Sequence, residues 1–385
     1  MKILFISDVY FPRINGVSTS ISTFVGQFRE LGHEVTLIAP EYGIKTKDEA
    51  WIKRIPARSI YFDPEDKLMK YGQALDLLGE LRREGYDLVH VHTPFVAHYL
   101  GRKLAHLLDV PCVETYHTFF EDYLHHYLPF IPKSFAKSIA RSISRRQCNE
   151  VSAIIAPSQP MLDVLRLYGV KARAEVIPTG LQAHSFDEAD GQAFRLKYGI
   201  PADRPVALFV GRVAYEKNIG FLLHMMVELK KRQPDALLVI AGEGPAEHSL
   251  KAKTNTLGLQ DQVQFIGYLD RDTNELNACY RAADVFVFAS TTETQGLVLL
   301  EAMAQVIPVV AIAELGTKSI LIEGEGALIA PEDAQLFAER VYELFANSEK
   351  RLALGKVAHS YALKRWTSRV QAERMLGFYQ QLIEQ

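Results

Sequence analysis

Two glutamates eight residues apart, Glu293 and Glu301, bracket the densest chemical signal in this 385-residue chain. The segment reads Thr291-Thr292-Glu293-Thr294-Gln295-Gly296-Leu297-Val298-Leu299-Leu300-Glu301-Ala302-Met303 and follows a buried-strand pattern at 285–289. Gly296 is expected to open a helix, because 297–305 holds strong helix formers. Glu293 then sits in the loop and Glu301 about two turns along the helix. Free amides at a helix start, beside the carboxyl end of a strand, form an anion site. One carboxylate there can hold sugar hydroxyls and the other ribose hydroxyls. Both also suit plainer roles, as a partner of the helix dipole and as a solvated helix residue.

A second signal is Phe209-Val210-Gly211-Arg212-Val213-Ala214-Tyr215-Glu216-Lys217-Asn218, after the strand pattern 206–210. Gly211 permits close backbone approach. Arg212 offers a planar fork for phosphate oxygens and Lys217 a mobile point charge. A diphosphate leaving group needs such compensation where metal ligands are absent. An ordinary strand–helix turn with a solvated Lys and Arg reads equally well from these residues alone.

The elements that must position these groups come in two series. Short apolar runs occur at 2–7, 34–39, 88–92, 112–116, 153–156 and 174–177, then at 206–210, 236–241, 263–266, 285–289, 307–312 and 327–329. Helix-period stretches separate most of them, for example 17–31, 68–84 and 332–345. Continuous apolar strands are buried on both faces, and alternation with helices implies parallel sheets. Two series predict two doubly wound α/β domains, as the length also suggests. The boundary falls at Ile177-Pro178-Thr179-Gly180-Leu181. Ligands of such sheets bind beyond the carboxyl ends of the strands.

Together these residues resemble one family. The chain is similar, over essentially its whole length, to retaining glycosyltransferases of family 4 with the GT-B fold, in which two doubly wound domains face each other across a cleft. The E-x7-E element is Glu293…Glu301, and the Gly-Arg-x4-Lys element is Gly211, Arg212 and Lys217. Ala241-Gly242-Glu243-Gly244-Pro245 looks like the family's glycine turn, and Phe265-Ile266-Gly267-Tyr268-Leu269 like its base-binding strand end. In the first half, Tyr10-Phe11-Pro12-Arg13-Ile14-Asn15-Gly16-Val17 occupies the loop after the first strand, with Asn15-Gly16 where the pattern often has two glycines. His117, in Tyr116-His117-Thr118, matches the active-site histidine. His90 and His92 are read as packing residues.

The resemblance implies a role for each position. Arg212 and Lys217 stabilise the leaving diphosphate, and Gly16 brings backbone amides to the donor phosphates. Tyr268 and Leu269 receive the base, and Glu301 holds the ribose. Glu293, with Thr294 and the amides near Gln295, Gly296 and Leu297, positions the sugar, beside His117. The donor is a UDP-sugar, or alternatively a GDP-sugar, and no metal or other cofactor is expected. The implied domains are 1–178, acceptor-binding and joined by the C-terminal helix 366–385, and 183–365, donor-binding.

Residues 123–149 contain Lys133, Lys137, Arg141, Arg145 and Arg146 and no acid. Ile131, Phe135, Ile139 and Ile143 recur every four residues, and four of the basic residues recur in step, shifted by two. On a helix two positions are about 200°, so the rows lie on opposite faces. That pattern suits a helix that packs its isoleucines on the core and leaves its lysines in water, and also a membrane surface. The aromatic stretch 119–130 precedes it. Tyr-His-Thr-x-x-Glu-Asp-Tyr and Glu-Thr-Gln-Gly look most like lipid-glycosylating members, which add a hexose to diacylglycerol, with mannosyl transfer to a phosphoinositide lipid similar. A transferase with a soluble small acceptor, and a GT-B nucleotide-sugar epimerase, are the alternatives.

The balance of 43 Lys+Arg against 46 Asp+Glu, net −3, excludes whole-molecule attraction to nucleic acid. Three cysteines without a C-x-x-C pair fit a reducing compartment. Without a recognisable leader or spanning run, the expectation is a cytoplasmic enzyme, peripheral at the inner face of the cell membrane.

Overall fold

The computed structural model describes residues 1–43, 49–59, 67–117, 133–270 and 273–384, with side chains at 133–136 left aside. The chain divides into two compact units, Met1–Gly180 with Ser368–Gln385, and Leu181–Thr367.

The first unit holds β1 (Lys2–Ile6), β2 (Glu34–Pro40), β3 (Ile52–Ile55), the hairpin strands β4 (Ala57–Ser59) and β5 (Lys67–Met69), β6 (Leu88–Val91), β7 (Cys112–Thr115), β8 (Ala153–Ala156) and β9 (Arg173–Val176). Seven of these form a parallel sheet in the order β3-β2-β1-β6-β7-β8-β9. Its centre is Ile3, Phe5, Leu37, Leu88, Val113 and Ile155, all buried, because Val, Ile and Leu suit strands covered on both faces. The last helix, Ser368–Ile383, adds Ala372, Met375 and Tyr379 to this core and packs on the first, Gly16–Glu30.

The second unit holds β10 (Val206–Val210), β11 (Leu237–Ala241), β12 (Val263–Gly267), β13 (Val285–Phe288), β14 (Val309–Ala311) and β15 (Ala327–Ile329). They form a parallel sheet ordered β12-β11-β10-β13-β14-β15. The two ends of this unit pair with each other, Leu181 N donating to Trp366 O at 2.6 Å.

In both sheets the order reverses beside the first strand, between β1 and β6 and between β10 and β13. Such a switch point splays the following loops apart and leaves a crevice at the strands' carboxyl ends. The alternation of strand and helix was readable in the sequence, and three details were not. The stretch 68–84 is not one helix: Leu68 lies in β5, and the helices Tyr71–Leu75 and Leu78–Glu84 follow. The polar strand β3 and the hairpin have no apolar run to announce them. Glu301 is the fifth residue of the helix Leu297–Ala304, just over one turn from its start rather than two.

Candidate active site

At the switch point of the second unit, the loops after β10 and β13 are tied together. The Ser290 hydroxyl donates to the Glu216 carbonyl at 3.1 Å, and the Asn218 amide to the Ala289 carbonyl at 3.3 Å. Asn218 lies in the left-handed region, φ 55°, between the turn Tyr215–Lys217 and the helix Ile219–Lys230. That turn aims Lys217 at Glu293, and the two form an ion pair. Their side chains are 19% and 17% exposed. Arg212, from the same loop as Lys217, is exposed.

Glycine is sterically required around this pair. A Cβ on Gly242 would lie 2.0 Å from the Gly211 carbonyl oxygen, so the loops after β10 and β11 touch backbone to backbone. A Cβ on Gly316 would lie 2.0 Å from the Thr294 carbonyl oxygen, and the Gly316 amide donates to the Glu293 carbonyl at 2.8 Å. The Glu293–Thr294 backbone is thereby fixed from below. Gly296, φ 94°, then turns the chain into the helix beginning at Leu297, whose first amides are free of intrahelical partners. Gln295 is buried beneath this turn.

Glu301 is buried at 8% exposure and accepts a hydrogen bond from the Tyr280 hydroxyl at 2.8 Å. It is therefore a fixed acceptor and not a solvated helix residue. After β12, the Tyr268 amide approaches a Glu243 carboxylate oxygen at 3.4 Å, with the Tyr268 ring half exposed and Leu269 buried. The structure thus gathers Arg212, Lys217, Tyr268, Leu269, Glu293, Thr294, Gln295, Gly296, Leu297 and Glu301 on the loops and helix that follow β10, β12 and β13. Cations at a helix start and two fixed carboxylates can hold a diphosphate and a set of hydroxyls.

The first unit carries its own cluster at its switch point. Asp8, just past β1, accepts from the Thr93 hydroxyl at 2.8 Å and from the Ala97 amide at 3.0 Å, capping the helix Val96–Leu108. Burial pushes its carboxyl up to about 7, against those hydrogen bonds. His117 follows β7, and its Nε2 lies 3.1 Å from Nδ1 of His92. Burial pulls His117 down to about 4 and holds His90 and His92 well below the ordinary histidine range. His90 keeps its packing role, with Nε2 on the Thr115 hydroxyl at 2.7 Å and Nδ1 on the Tyr379 hydroxyl at 2.5 Å. His92 does more than pack, since it bonds His117. Asp8 and His92 were missed as site residues because each ends a buried run. Their signal is position at the reversal of strand order, which needs the topology. Gly16 opens the first helix, with Asn15 as its cap accepting from the Ser18 amide at 2.9 Å.

The helix Lys133–Asn149 corrects one expectation. Its inward face is Ala140, Ser144, Gln147 and Cys148, whereas Ile143 is 43% exposed. Among the described residues of that row, Ile139 is half-buried and Ile143 is not part of the core. Small residues win the inward face because the helix lies close: Ser144 Oγ is 2.9 Å from the Tyr116 hydroxyl, and the Gln147 amide donates to the Pro94 carbonyl at 2.7 Å. Arg141 and Arg145 are exposed, the former over the Tyr168 ring at 5.6 Å, and Lys137 is half-buried. Arg146 pairs with Glu150 at 2.9 Å. Lys133 starts the helix, but its side chain, those of Ile131 and Phe135, and the stretch 119–130 lie outside the described residues. Among the described residues no helix is long and apolar enough to cross a membrane, and no three His, Cys, Asp or Glu gather as a metal site.

Known proteins resemble this chain over both units. Residues 14–184 match the glycosyltransferase family 4 model, and residues 190–360 the model of glycosyl transferases group 1. The alpha-monoglucosyldiacylglycerol synthase of Streptococcus pneumoniae is 32% identical over 94% of this chain and 86% of its own length. The protein of that name from Acholeplasma laidlawii is 29% identical over 100% of this chain and 98% of its own. The crystal structure of HepE from Anabaena, in complex with UDP, superposes with a TM-score of 0.78 at 18% identity, covering 99% of this chain and all of that one. The chain belongs to glycosyltransferase family 4, with the GT-B fold, and is a hexosyltransferase.

Proposed function

We propose that this glycosyltransferase moves a hexose, with retention of configuration, from a UDP-sugar, or alternatively a GDP-sugar, to a hydroxyl of a membrane lipid such as diacylglycerol, without a metal ion. The bond broken joins the sugar C1 to the diphosphate oxygen, and the bond formed joins C1 to the acceptor oxygen. The acceptor proton passes to the leaving phosphate. Arg212 and Lys217 stabilise the charge growing on that phosphate. Glu293 and the amides near Gln295–Leu297 hold sugar hydroxyls, Glu301 holds the ribose, and His117 serves the transferred sugar. The base rests on Tyr268 and Leu269.

The observation that carries the lipid reading is the exposed basic surface of the helix Lys133–Asn149. Arg141, Arg145 and Arg146 are exposed, Ile143 is exposed on another side of the helix, and Ala140 and Ser144 lie inside. Exposed cations on a helix that carries no acid fit an anionic bilayer surface, where each contributes about 1 kcal/mol. Two relatives whose names specify a diacylglycerol product, matched over nearly the whole chain, support the same acceptor class. The enzyme then works as a peripheral protein at the inner face of the cell membrane.

Co-sedimentation with phosphatidylglycerol vesicles and with phosphatidylcholine vesicles tests the membrane part. Binding to the anionic vesicles, lost in the Arg141→Gln/Arg145→Gln double variant, is expected. Binding that ignores both lipid charge and these arginines sinks it. A turnover screen with UDP-glucose, UDP-galactose, UDP-N-acetylglucosamine and GDP-mannose, with dispersed diacylglycerol and with EDTA, tests the chemistry. Transfer confined to soluble acceptors, or abolished by EDTA, overturns the corresponding part.

A further inference from the structure

We propose that His92 is a positioning residue, which fixes the ring nitrogen of His117 that carries the proton. The inference rests on the reading of His117 as an active-site residue and extends it to a residue that no sequence motif marks.

The His92 ring is 1% exposed and is held from three sides. Its amide donates to the Ile6 carbonyl at 2.9 Å, which pins the residue to the end of β1. The Phe5 ring lies 4.4 Å away and the His90 ring 4.1 Å away, centroid to centroid. The His117 ring stacks nearly parallel, at 23° and 5.4 Å. Both nitrogens of His90 are engaged by Thr115 and Tyr379, so His90 cannot serve as a hydrogen-bond partner for His92. Nδ1 of His92 meets Nε2 of His117 at 3.1 Å, and Nε2 of His92 is buried without a partner.

With all three rings neutral near pH 7, each carries one proton, and the His92–His117 contact has two arrangements. In one, His92 Nδ1–H donates to His117 Nε2, and the buried Nε2 of His92 is a bare lone pair. In the other, His117 Nε2–H donates to His92 Nδ1, and His92 must carry its proton on Nε2 as a buried N–H with no acceptor. Orphaned buried N–H groups are rarer than under-used acceptors. The first arrangement therefore wins. His117 then holds its proton on Nδ1, with its Nε2 accepting from His92.

Long-range proton–nitrogen NMR of the protein carrying ring-labelled histidine reads each nitrogen as protonated or bare. The twelve histidines are assigned at the two positions of interest by signal loss in His92→Phe and His117→Ala. The expected result is Nδ1–H on both residues. In His92→Phe the His117 pattern changes, and kcat falls about 10-fold or more, by analogy with the loss of partners that orient metal-bound histidines. His92→Asn, whose amide can donate from about the Nδ1 position, restores most of kcat and the His117 pattern. Nε2–H on His117 in the unaltered enzyme, or a His117 pattern unmoved in His92→Phe, overturns the proposal. Normal turnover in His117→Ala instead overturns the reading beneath it, and the tautomer measured by NMR stands apart from that result.

Discussion

Glu293→Gln separates two tasks that the ion pair joins. In the structure Glu293 and Lys217 neutralise each other, and both side chains are less than one-fifth exposed. A diphosphate arriving at Lys217 therefore meets a carboxylate as well. At about 8 Å and an effective dielectric near 20, that repulsion is about 2 kcal/mol. Partial exposure and salt trim it to about 1–2 kcal/mol. The amide is isosteric and uncharged, so the variant should bind the nucleoside diphosphate about 5- to 30-fold more tightly. The same change removes the carboxylate that holds sugar hydroxyls in the transition state. A preorganised group of this kind is worth about 10²- to 10³-fold in kcat. Loss of the pair itself costs about 1 kcal/mol, lowering Tm by about 2–4 °C. Titration calorimetry with UDP, steady-state turnover and a thermal melt measure the three effects. Tighter product binding together with slower turnover is the signature. Unchanged UDP affinity with kcat within about threefold of the parent would refute the reasoning, because Glu293 would then act neither on the diphosphate's field nor on the sugar.

Three further changes probe neighbouring groups. Arg212 is exposed, so Arg212→Ala should lower kcat by about 10²-fold or more with Tm unchanged within error; comparable turnover would remove it from the leaving-group site. Tyr280→Phe deletes the hydroxyl that orients Glu301 at 2.8 Å; donor KM should rise about 5- to 10-fold, for a bond worth about 1 kcal/mol, with kcat nearly constant. Asp8 has a folded pKa of about 7, raised by burial above its ordinary 3.8. Its contribution to stability is full below about pH 4 and is lost as pH rises through 7. Asp8→Asn should therefore flatten the fall in Tm between pH 5 and 8, and a melt series with the same slope in both proteins would count against the shift.

How much of this was legible in the sequence depends on what each feature is made of. Apolar runs announce β1, β2, β6 and the six strands of the second unit, five of them largely buried and β12, at the sheet edge, only half-buried. β3, reading Ile-Lys-Arg-Ile at the sheet edge, has one face toward Lys53 and its acidic partners Glu80 and Glu84, and no run marks it. The helix start at Gly296 was readable because a glycine at φ 94° precedes strong helix formers. That Glu301 faces inward onto Tyr280 was not, since a pattern of Leu-Val-Leu-Leu-Glu-Ala-Met is apolar all round and has no polar face to orient it.

The helix Lys133–Asn149 shows why periodicity alone stops short. A shift of two residues puts two rows on opposite faces whichever of them points inward. The choice belongs to the surface beneath, which offers the Tyr116 hydroxyl and the Pro94 carbonyl. Those groups are met by Ser144 and Gln147, so polar fit and small size take the inner face, and Ile143 is turned out. The same logic located the sites. In each unit a polar side chain ties the loops of the two strands at the switch point: Thr93 to Asp8 in the first, Ser290 and Asn218 to the opposite loop in the second. These ties hold open loops at a fixed spacing where the sheet itself no longer does. Chemistry-bearing residues next to them, His92 in one unit and Lys217 with Glu293 in the other, inherit that rigidity from the topology, which is why strand order marks them where no local motif does for His92.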